Sequence, residues 1–223
     1  MHRPLAAATI ASAFLVACAG QPRPANLDVA QVSDASSPII QAAAAGNTER
    51  VRVLSEGDAA LNTRSPETTT LTAAAAGGHG ETVWYLLKRG ANPDLASLSG
   101  RTPLMVAARE GNQEVIRMLL SAGAEVNRQA QNGHSPLSMA ALNGNLSTAK
   151  RLLTAGANVN IAPGGRSLLM HVIERGDLLM AEALIAAGAN TEYQAADGQT
   201  ALDVARQVNN RDLEMLLIQA GAR

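Results

Sequence analysis

The sequences TPLMVAA at Thr102–Ala108 and SPLSMAA at Ser135–Ala141 share a pattern that decides the fold. Each has a hydroxyl residue, then a proline, then an apolar run. The hydroxyl can accept a hydrogen bond from a backbone amide of a helix's first turn, where the missing N–H of proline costs nothing. Each stretch therefore predicts the start of a helix, and their separation of 33 residues points to a repeat.

The same opening recurs along much of the chain. A Ser or Thr begins each unit, at Ser37, Thr69, Thr102, Ser135, Ser167 and Thr200. Nine residues after each opener stand Gly46, Gly78, Gly111, Gly144, Gly176 and, in the last unit, Asn209. A short helix that turns back needs a residue that tolerates positive φ, and Asn is the best substitute for Gly there. The two columns predict six helix-turn-helix units.

A third column marks the end of the second helix in each unit. It consists of glycines that precede an alanine, at Gly90, Gly123, Gly156, Gly188 and Gly221. Before it, apolar residues recur at helical spacing, as at Val115, Ile116 and Leu119. One helix pair cannot bury such a face alone, so we expect the units to stack on one another.

These columns resemble the ankyrin repeat, whose unit of about 33 residues opens with T-P-L-H-x-A. The resemblance implies an all-α solenoid of six helix-turn-helix repeats, with short finger-like turns, over residues 37–223. Thr70, Leu168 and Ala201 replace the proline, and we expect a weaker helix cap there. The family histidine is absent from the fourth opening position, so the local hydrogen bond that it usually makes is not predicted.

The N-terminus has the pattern of an export signal. His2 and Arg3 precede an uncharged run, Leu5–Ala17. That run is shorter than the roughly 20 residues of a membrane-spanning helix and suits a signal peptide. Its end, LVAC at Leu15–Cys18, resembles the lipobox of bacterial lipoproteins, in which the cysteine is lipidated. The resemblance predicts a signal peptide over residues 1–17, lipidation of Cys18 and a flexible tether over residues 18–36.

Two alternatives to lipidation remain open. Ala17 and Ala19 form a small-x-small pattern, so an ordinary signal peptidase could cut after Ala19 and release a soluble periplasmic protein. Cys18 could instead be incidental in a chain that is not exported. By resemblance to lipoprotein sorting in Gram-negative bacteria, Ala19 after the cysteine predicts the periplasmic face of the outer membrane. Cys18 is the chain's single cysteine, so no disulfide can form within the chain.

The composition and motifs argue against catalysis and against the binding of nucleic acid, metals or small molecules. Eighteen basic and 19 acidic residues give a net charge of −1, which provides no field for nucleic acid. His79, His134 and His171 stand at different repeat positions, and no cluster has the spacing of metal ligands. The glycine pairs at 77–78 and 164–165 match no phosphate-binding motif. We therefore predict no catalysis, no metal, no cofactor and no small-molecule substrate.

The resemblance implies instead that another protein binds to the fingers and to the exposed side of each first helix. The predicted contact residues are Leu98, Arg101, Arg109, Glu110, Gln131, Asn132, His134, Leu142, Asn143, Arg166 and Arg175. Leu98 and Leu142 are apolar where solvent is expected, and exposed apolar residues among arginines make plausible hot spots. The alternative for each residue is an ordinary place on the surface of a solenoid.

Trp84 aligns with Arg52, Arg117 and Lys150 of other repeats, a column predicted to face outward on the convex side. It either lies flat over the adjoining helices or forms a second contact site. For the whole chain we predict a binding module that scaffolds, inhibits or protects a protein of the bacterial envelope. An effector delivered outside the periplasm is the alternative, while an enzyme would need a convergent polar cluster that the sequence does not contain.

Overall fold

The computed structural model describes residues 37–56 and 61–222. In these two segments the chain forms twelve α-helices in six helix-turn-helix pairs, and no β-strand. The helices are α1 (Pro38–Ala44), α2 (Thr48–Leu54), α3 (Thr70–Ala76), α4 (Gly80–Lys88), α5 (Pro103–Glu110), α6 (Gln113–Ser121), α7 (Pro136–Leu142), α8 (Leu146–Thr154), α9 (Leu168–Glu174), α10 (Leu178–Ala186), α11 (Ala201–Gln207) and α12 (Arg211–Gln219). The predicted all-α solenoid of six repeats is confirmed.

The helices form two layers with the apolar core between them. The first helices, α1, α3, α5, α7, α9 and α11, pack on one another in order. The second helices do the same, and at the junction of α6 with α8 the side chain of Gln113 bonds to Thr148 and accepts from Arg151 Nε at 2.8 Å. Leu119 and Leu152 are among the fully buried residues between the layers. Each such leucine contributes roughly 1.5–3 kcal/mol through removal of apolar surface from water.

The turn between the two helices of each repeat uses the predicted left-handed residue. Gly111 has a φ of +74°, and the glycines of the same column in the other repeats are also positive. In the sixth repeat Asn209 takes this role with a φ of +54°, and no other non-glycine residue in the described segments has a positive φ. The prediction that Asn209 replaces glycine in this turn is therefore confirmed.

The side-chain cap bond at a repeat opening does not require the proline. Thr69, Ser167 and Thr200 each accept a hydrogen bond from the backbone N–H three residues later, although no proline follows them. Thr102 and Ser135 do the same with a proline. Ser37 makes no such side-chain bond, although Pro38 follows it. The loss of the proline therefore does not remove the cap bond.

Polar residues at the fourth opening position restore the local bond that the sequence did not predict. Thr72 Oγ1 lies 2.8 Å from Thr69 Oγ1, and Ser138 Oγ accepts from the N–H of Ser135 at 2.9 Å. Asp203 accepts from the Thr200 N–H at 2.9 Å and from its hydroxyl at 2.7 Å. A local bond at this position, which the absence of the histidine left unpredicted, is thus present in the second, fourth and sixth repeats.

A series of side-chain hydrogen bonds connects successive repeats through residues that follow the second helices in the chain. Asn127 Oδ1 accepts from the N–H of Asn158 at 2.7 Å, and Asn127 Nδ2 donates to the carbonyl of Gly156 at 3.0 Å. Three further residues accept from the backbone of the next repeat in the same way, namely Asn62, Asp94 and Asn160. We call these four residues the asparagine ladder. None of the helices in residues 37–56 and 61–222 has the length and apolarity to cross a membrane.

Candidate functional site

Two finger turns form one wall of a pocket between the third and fourth repeats. In the finger at 97–101, the N–H of Ser97 donates to the carbonyl of Arg101 at 3.0 Å, and Gly100 has a φ of +80°. The finger at 130–134 is closed in the same way, by a bond of 2.9 Å from Ala130 to His134. Each finger is therefore a rigid hairpin-like turn that projects from the start of a first helix.

The pocket lies between these fingers and helices α5 and α7, and it has a volume of about 230 Å³. We call it the finger pocket. Its lining residues are Ser99, Arg101, Met105, Val106, Arg109, Ala130, Asn132 and Met139. Met105 and Val106 are buried and Met139 is half-buried, so the floor is apolar and, at the methionines, adaptable in shape.

Two arginines at the rim of the finger pocket are held by ion pairs. Arg101 contacts Glu67 of the preceding finger at 2.6 Å, and Arg109 contacts its neighbour Glu110 at 2.7 Å. Both glutamates are exposed. Ion pairs of this kind contribute about 0–1 kcal/mol in water. Both guanidinium groups can therefore exchange their present partners for a carboxylate of another molecule at little cost.

The predicted finger residues lie beside this pocket. Leu98 is 43% exposed, which confirms an apolar residue in solvent at this position. Gln131 Nε2 donates to the carbonyl of Leu98 at 2.8 Å and so connects the two fingers. Asn132 Oδ1 accepts from the backbone N–H of His134 at 3.3 Å. Of the predicted residues, Arg101, Arg109 and Asn132 thus line one depression, and Leu98 and Gln131 lie in the two fingers beside it.

Leu142 does not have the exposure that the sequence predicted. Its side chain is half-buried and packs against the core. The physical reason is that α7 lies between α5 and α9 in the layer of first helices, so an apolar side chain at its end finds apolar neighbours. The adjacent Asn143 is exposed, and its Nδ2 donates to the carbonyl of Met139 at 2.8 Å.

The remaining predicted arginines lie outside the finger pocket, Arg166 directly before the fifth repeat and Arg175 within it. Arg166 is half-buried, and its guanidinium donates to Gln199 Oε1 at 3.3 Å. Arg175 is exposed at the end of α9. The structure therefore does not join these two residues to the depression between the third and fourth repeats.

The three histidines make separate local contacts. His79 Nε2 lies 2.9 Å from the carbonyl oxygen of Ala44 and so connects the first two repeats. His134 Nδ1 lies 3.1 Å from Ser138 Oγ, and burial, followed by the charge of His171, lowers the pKa of His134. His171 Nδ1 lies 3.1 Å from the carbonyl oxygen of Ser167. Across the described residues, no group of three His, Cys, Asp or Glu side chains converges as metal ligands would.

A family model described as Ankyrin repeats (3 copies) matches residues 13–97, 39–130, 93–163 and 137–223. The chain belongs to the ankyrin-repeat family. A search of curated proteins found no relative that matches it. Ankyrin repeats indicate a protein-protein interaction module, and proteins of this kind are generally not enzymes.

The apolar floor of the finger pocket was missed in the sequence. Met105 stands at the fourth opening position, where the ankyrin pattern has histidine, and Met139 lies four residues after Ser135 in the next repeat. The methionine at the position of the family histidine was the available signal. Glu67, the ion-pair partner of Arg101, was also missed, because a contact between neighbouring fingers depends on how the ankyrin repeats stack.

Proposed function

We propose that this ankyrin-repeat protein binds another protein of the bacterial envelope through the finger pocket and the fingers beside it. The observation that carries the proposal is that separate sequence columns, from two fingers and two first helices, meet around one apolar depression. Two arginines line that depression, and an exposed leucine lies in one of its two fingers. Arginine is among the residue types enriched at the few positions that carry most of the binding energy of protein interfaces.

The chemistry of the pocket defines what would fit it. The floor of Met105, Val106 and Met139 accepts an apolar side chain, and its volume of about 230 Å³ suits one large residue. Arg101 and Arg109 would hold a neighbouring carboxylate, since arginine binds carboxylates with paired N–H groups. We therefore expect the partner to present an apolar side chain with an acidic residue close to it.

A comparison of matched variants tests the site. The variant Leu98→Ala with Arg101→Ala and Arg109→Ala removes two arginines from the finger pocket and one leucine from the finger at 97–101. The control Leu179→Ala with Arg50→Ala and Arg211→Ala removes the same residue types from exposed positions on second helices. Tagged parent and control should capture the same envelope protein, and the pocket variant should lose it while its circular dichroism is unchanged. A partner that the pocket variant retains would contradict the proposal.

The location is a proposal of its own, and the sequence around Cys18 supports it. A lipidated Cys18 would hold the protein on a membrane, because two or more acyl chains suffice for stable anchoring. Ala19 favours the periplasmic face of the outer membrane, and a soluble periplasmic protein is the alternative. Labelled palmitate should enter the parent and not the Cys18→Ala variant, and the parent should fractionate with outer membranes. Unlabelled parent in the soluble periplasmic fraction would overturn the anchor and leave the binding site untouched.

A further inference from the structure

A second and larger groove lies on the second helices, between α4 and α6, with a volume of about 710 Å³. We call it the Trp84 groove. Its apolar lining residues are Trp84 and Leu87 from α4 and Met118 and Ala122 from the end of α6. The finger pocket, in contrast, is built from fingers and first helices, so the two sites use different elements.

Trp84 breaks the pattern of its own column. Four of the other five repeats have an exposed charged residue at this position, namely Arg52, Arg117, Lys150 and Glu182. Trp84 is 53% exposed, and the ammonium group of Lys88 lies 4.6 Å from the centre of its ring. More than half of its surface is therefore open to contact with another molecule. A tryptophan that borders a groove and remains half in water is typical of the anchor residue of an interface.

The acidic and basic residues around the groove are distributed unevenly along its length. Glu81 and Glu114 stand in the first turns of α4 and α6, at one end of the groove. Lys88 lies at the other end, about 10 Å further along α4 at 1.5 Å per residue, and Arg117 lies midway on α6. All four side chains are exposed. One end of the groove is therefore acidic, and the rest of its rim is basic.

We propose that the occupant of the Trp84 groove is the same groove of a second copy of this chain, placed antiparallel across a two-fold axis. A two-fold interface must be complementary to itself, so that each residue meets a partner that it would also meet in return. The antiparallel arrangement places Glu81 and Glu114 of each copy against Lys88 and Arg117 of the other. Each Trp84 then enters the opposite groove.

The sizes of the lining residues fit this arrangement. Ser121 and Ala122, at the end of α6, are small residues that leave space beside Met118 for an incoming indole ring. Any partner helix would need an acidic start, a basic end and an outward apolar face. Helix α4 has this pattern itself, with Glu81, Lys88 and Trp84 in those roles. The dimer would leave both finger pockets open, so it would present two binding sites and raise avidity without a new contact to the partner.

The first test measures association directly. Sedimentation equilibrium of the purified protein should give a monomer–dimer equilibrium, and the fluorescence of Trp84, the chain's single tryptophan, should shift to shorter wavelength as the concentration rises. Trp84→Ala should reduce dimer formation at least about tenfold, which corresponds to one strong interface residue. Lys150→Ala, at the same position in the fourth repeat, should associate like the parent. A parent that stays monomeric at every concentration would overturn the proposal.

A charge-exchange experiment separates self-association from binding of a foreign helix. Glu81→Lys with Glu114→Lys makes the groove basic throughout, and Lys88→Glu with Arg117→Glu makes it acidic throughout. Each variant alone should be monomeric, because like charges then face each other, and an equal mixture should form a heterodimer. A mixture that stays monomeric would rule out the antiparallel dimer, as would either variant dimerising like the parent. The proposal does not depend on the finger pocket, and these measurements need no partner protein.

Discussion

At Asp94 the asparagine ladder has a carboxylate where the next two repeats have an amide. Asp94 accepts the bond from the N–H of Glu125 at 2.9 Å, as Asn127 does from the following repeat. It has no N–H to donate to the carbonyl of Gly123, whereas Asn127 donates to Gly156. Burial raises the pKa of Asp94, and the nearby carboxylate of Glu125 raises it further, against the lowering effect of the backbone bond. Ionisation of Asp94 is therefore less favourable in the folded protein than in the unfolded chain.

We expect Asp94→Asn to stabilise the protein by roughly 0.5–1.5 kcal/mol at neutral pH, the usual worth of one hydrogen bond. Urea unfolding of parent and variant measures the difference. Because the folded-state pKa of Asp94 is above its ordinary value of 3.8, the parent gains stability as the pH falls through that raised pKa, and the advantage of the variant should shrink there. Asn127→Asp is the matched control and should destabilise. Equal stability of the Asp94→Asn variant and the parent would contradict the expectation.

We expect the titration of His134 to make the free energy of unfolding depend on pH in mild acid. Burial, and then the charge of His171, lowers its pKa below the ordinary 6.5. The unfolded chain therefore takes up a proton at a higher pH than the folded chain does, and the free energy of unfolding falls as the pH drops below about 6.5 towards the lowered pKa. His134→Gln should have a smaller loss of stability between about pH 7.5 and about pH 5.5. Identical pH slopes for parent and variant would show that His134 does not contribute.

At the scale of the element, the repeat openings allow the effect of the hydroxyl group on helix capping to be distinguished from that of the proline. Thr102 is fully buried, and its Oγ1 accepts from the N–H of Met105 at 3.3 Å. Ser37 precedes a proline as Thr102 does, yet its side chain makes no cap bond to α1. The two residues therefore form a natural pair for measuring what a cap bond contributes in this solenoid.

Thr102→Ala should destabilise the protein by about 1 kcal/mol, because a first-turn amide of α5 loses its acceptor. Ser37→Ala should change the free energy of unfolding by a few tenths of that amount. Thermal or urea unfolding of the two variants beside the parent tests both values. The same loss for both variants would mean that the hydroxyls act by some means other than capping.

The helices and turns were predictable wherever an aligned column of residues serves a local need of the backbone, such as a helix cap or a positive φ. The openers and the turn residue Asn209 could be placed because capping and positive φ are local properties of the chain. The asparagine ladder was missed, although Asn127 and Asn160 recur at the repeat spacing. The exposure of Leu142 was predicted wrongly, because it depends on which helix the neighbouring repeat lays beside it. Contacts between repeats follow from stacking geometry, which one repeat's sequence does not specify.

Across the whole molecule, the stabilising contacts are made within each repeat and between neighbouring repeats of the stack. Each helix packs on its own partner and on the adjacent repeats. Such a stack behaves as a sum of repeat stabilities and nearest-neighbour interfaces. Helix α8 is packed between the third and fifth repeats, whereas α12 contacts α10 on one side, and among the residues described it has Met215 and Ile218 exposed. Among the residues described, the last repeat therefore packs on one neighbouring repeat, whereas the fourth packs on two.

We expect the backbone amides of α12 to exchange with deuterium faster than those of α8, because opening the last repeat breaks one interface and opening the fourth breaks two. Hydrogen-exchange mass spectrometry on the native protein measures this difference. Leu217→Ala, in the buried face of α12, should speed exchange in the last repeat and leave α5 nearly unchanged. Exchange that accelerates equally in every repeat would indicate a single cooperative unit.

The asparagine ladder has a consequence for how such a chain can change over evolutionary time. Its bonds run from a side chain of one repeat to main-chain atoms of the next, as from Asn160 to the N–H of Asn190 and the carbonyl of Gly188. Main-chain atoms are the same in every repeat, so a ladder asparagine needs no matching substitution in its neighbour. A duplicated or transplanted repeat that keeps this asparagine can therefore form the same hydrogen bonds to the repeat that follows it. The gene can then lengthen or shorten by whole repeats while the finger residues vary independently.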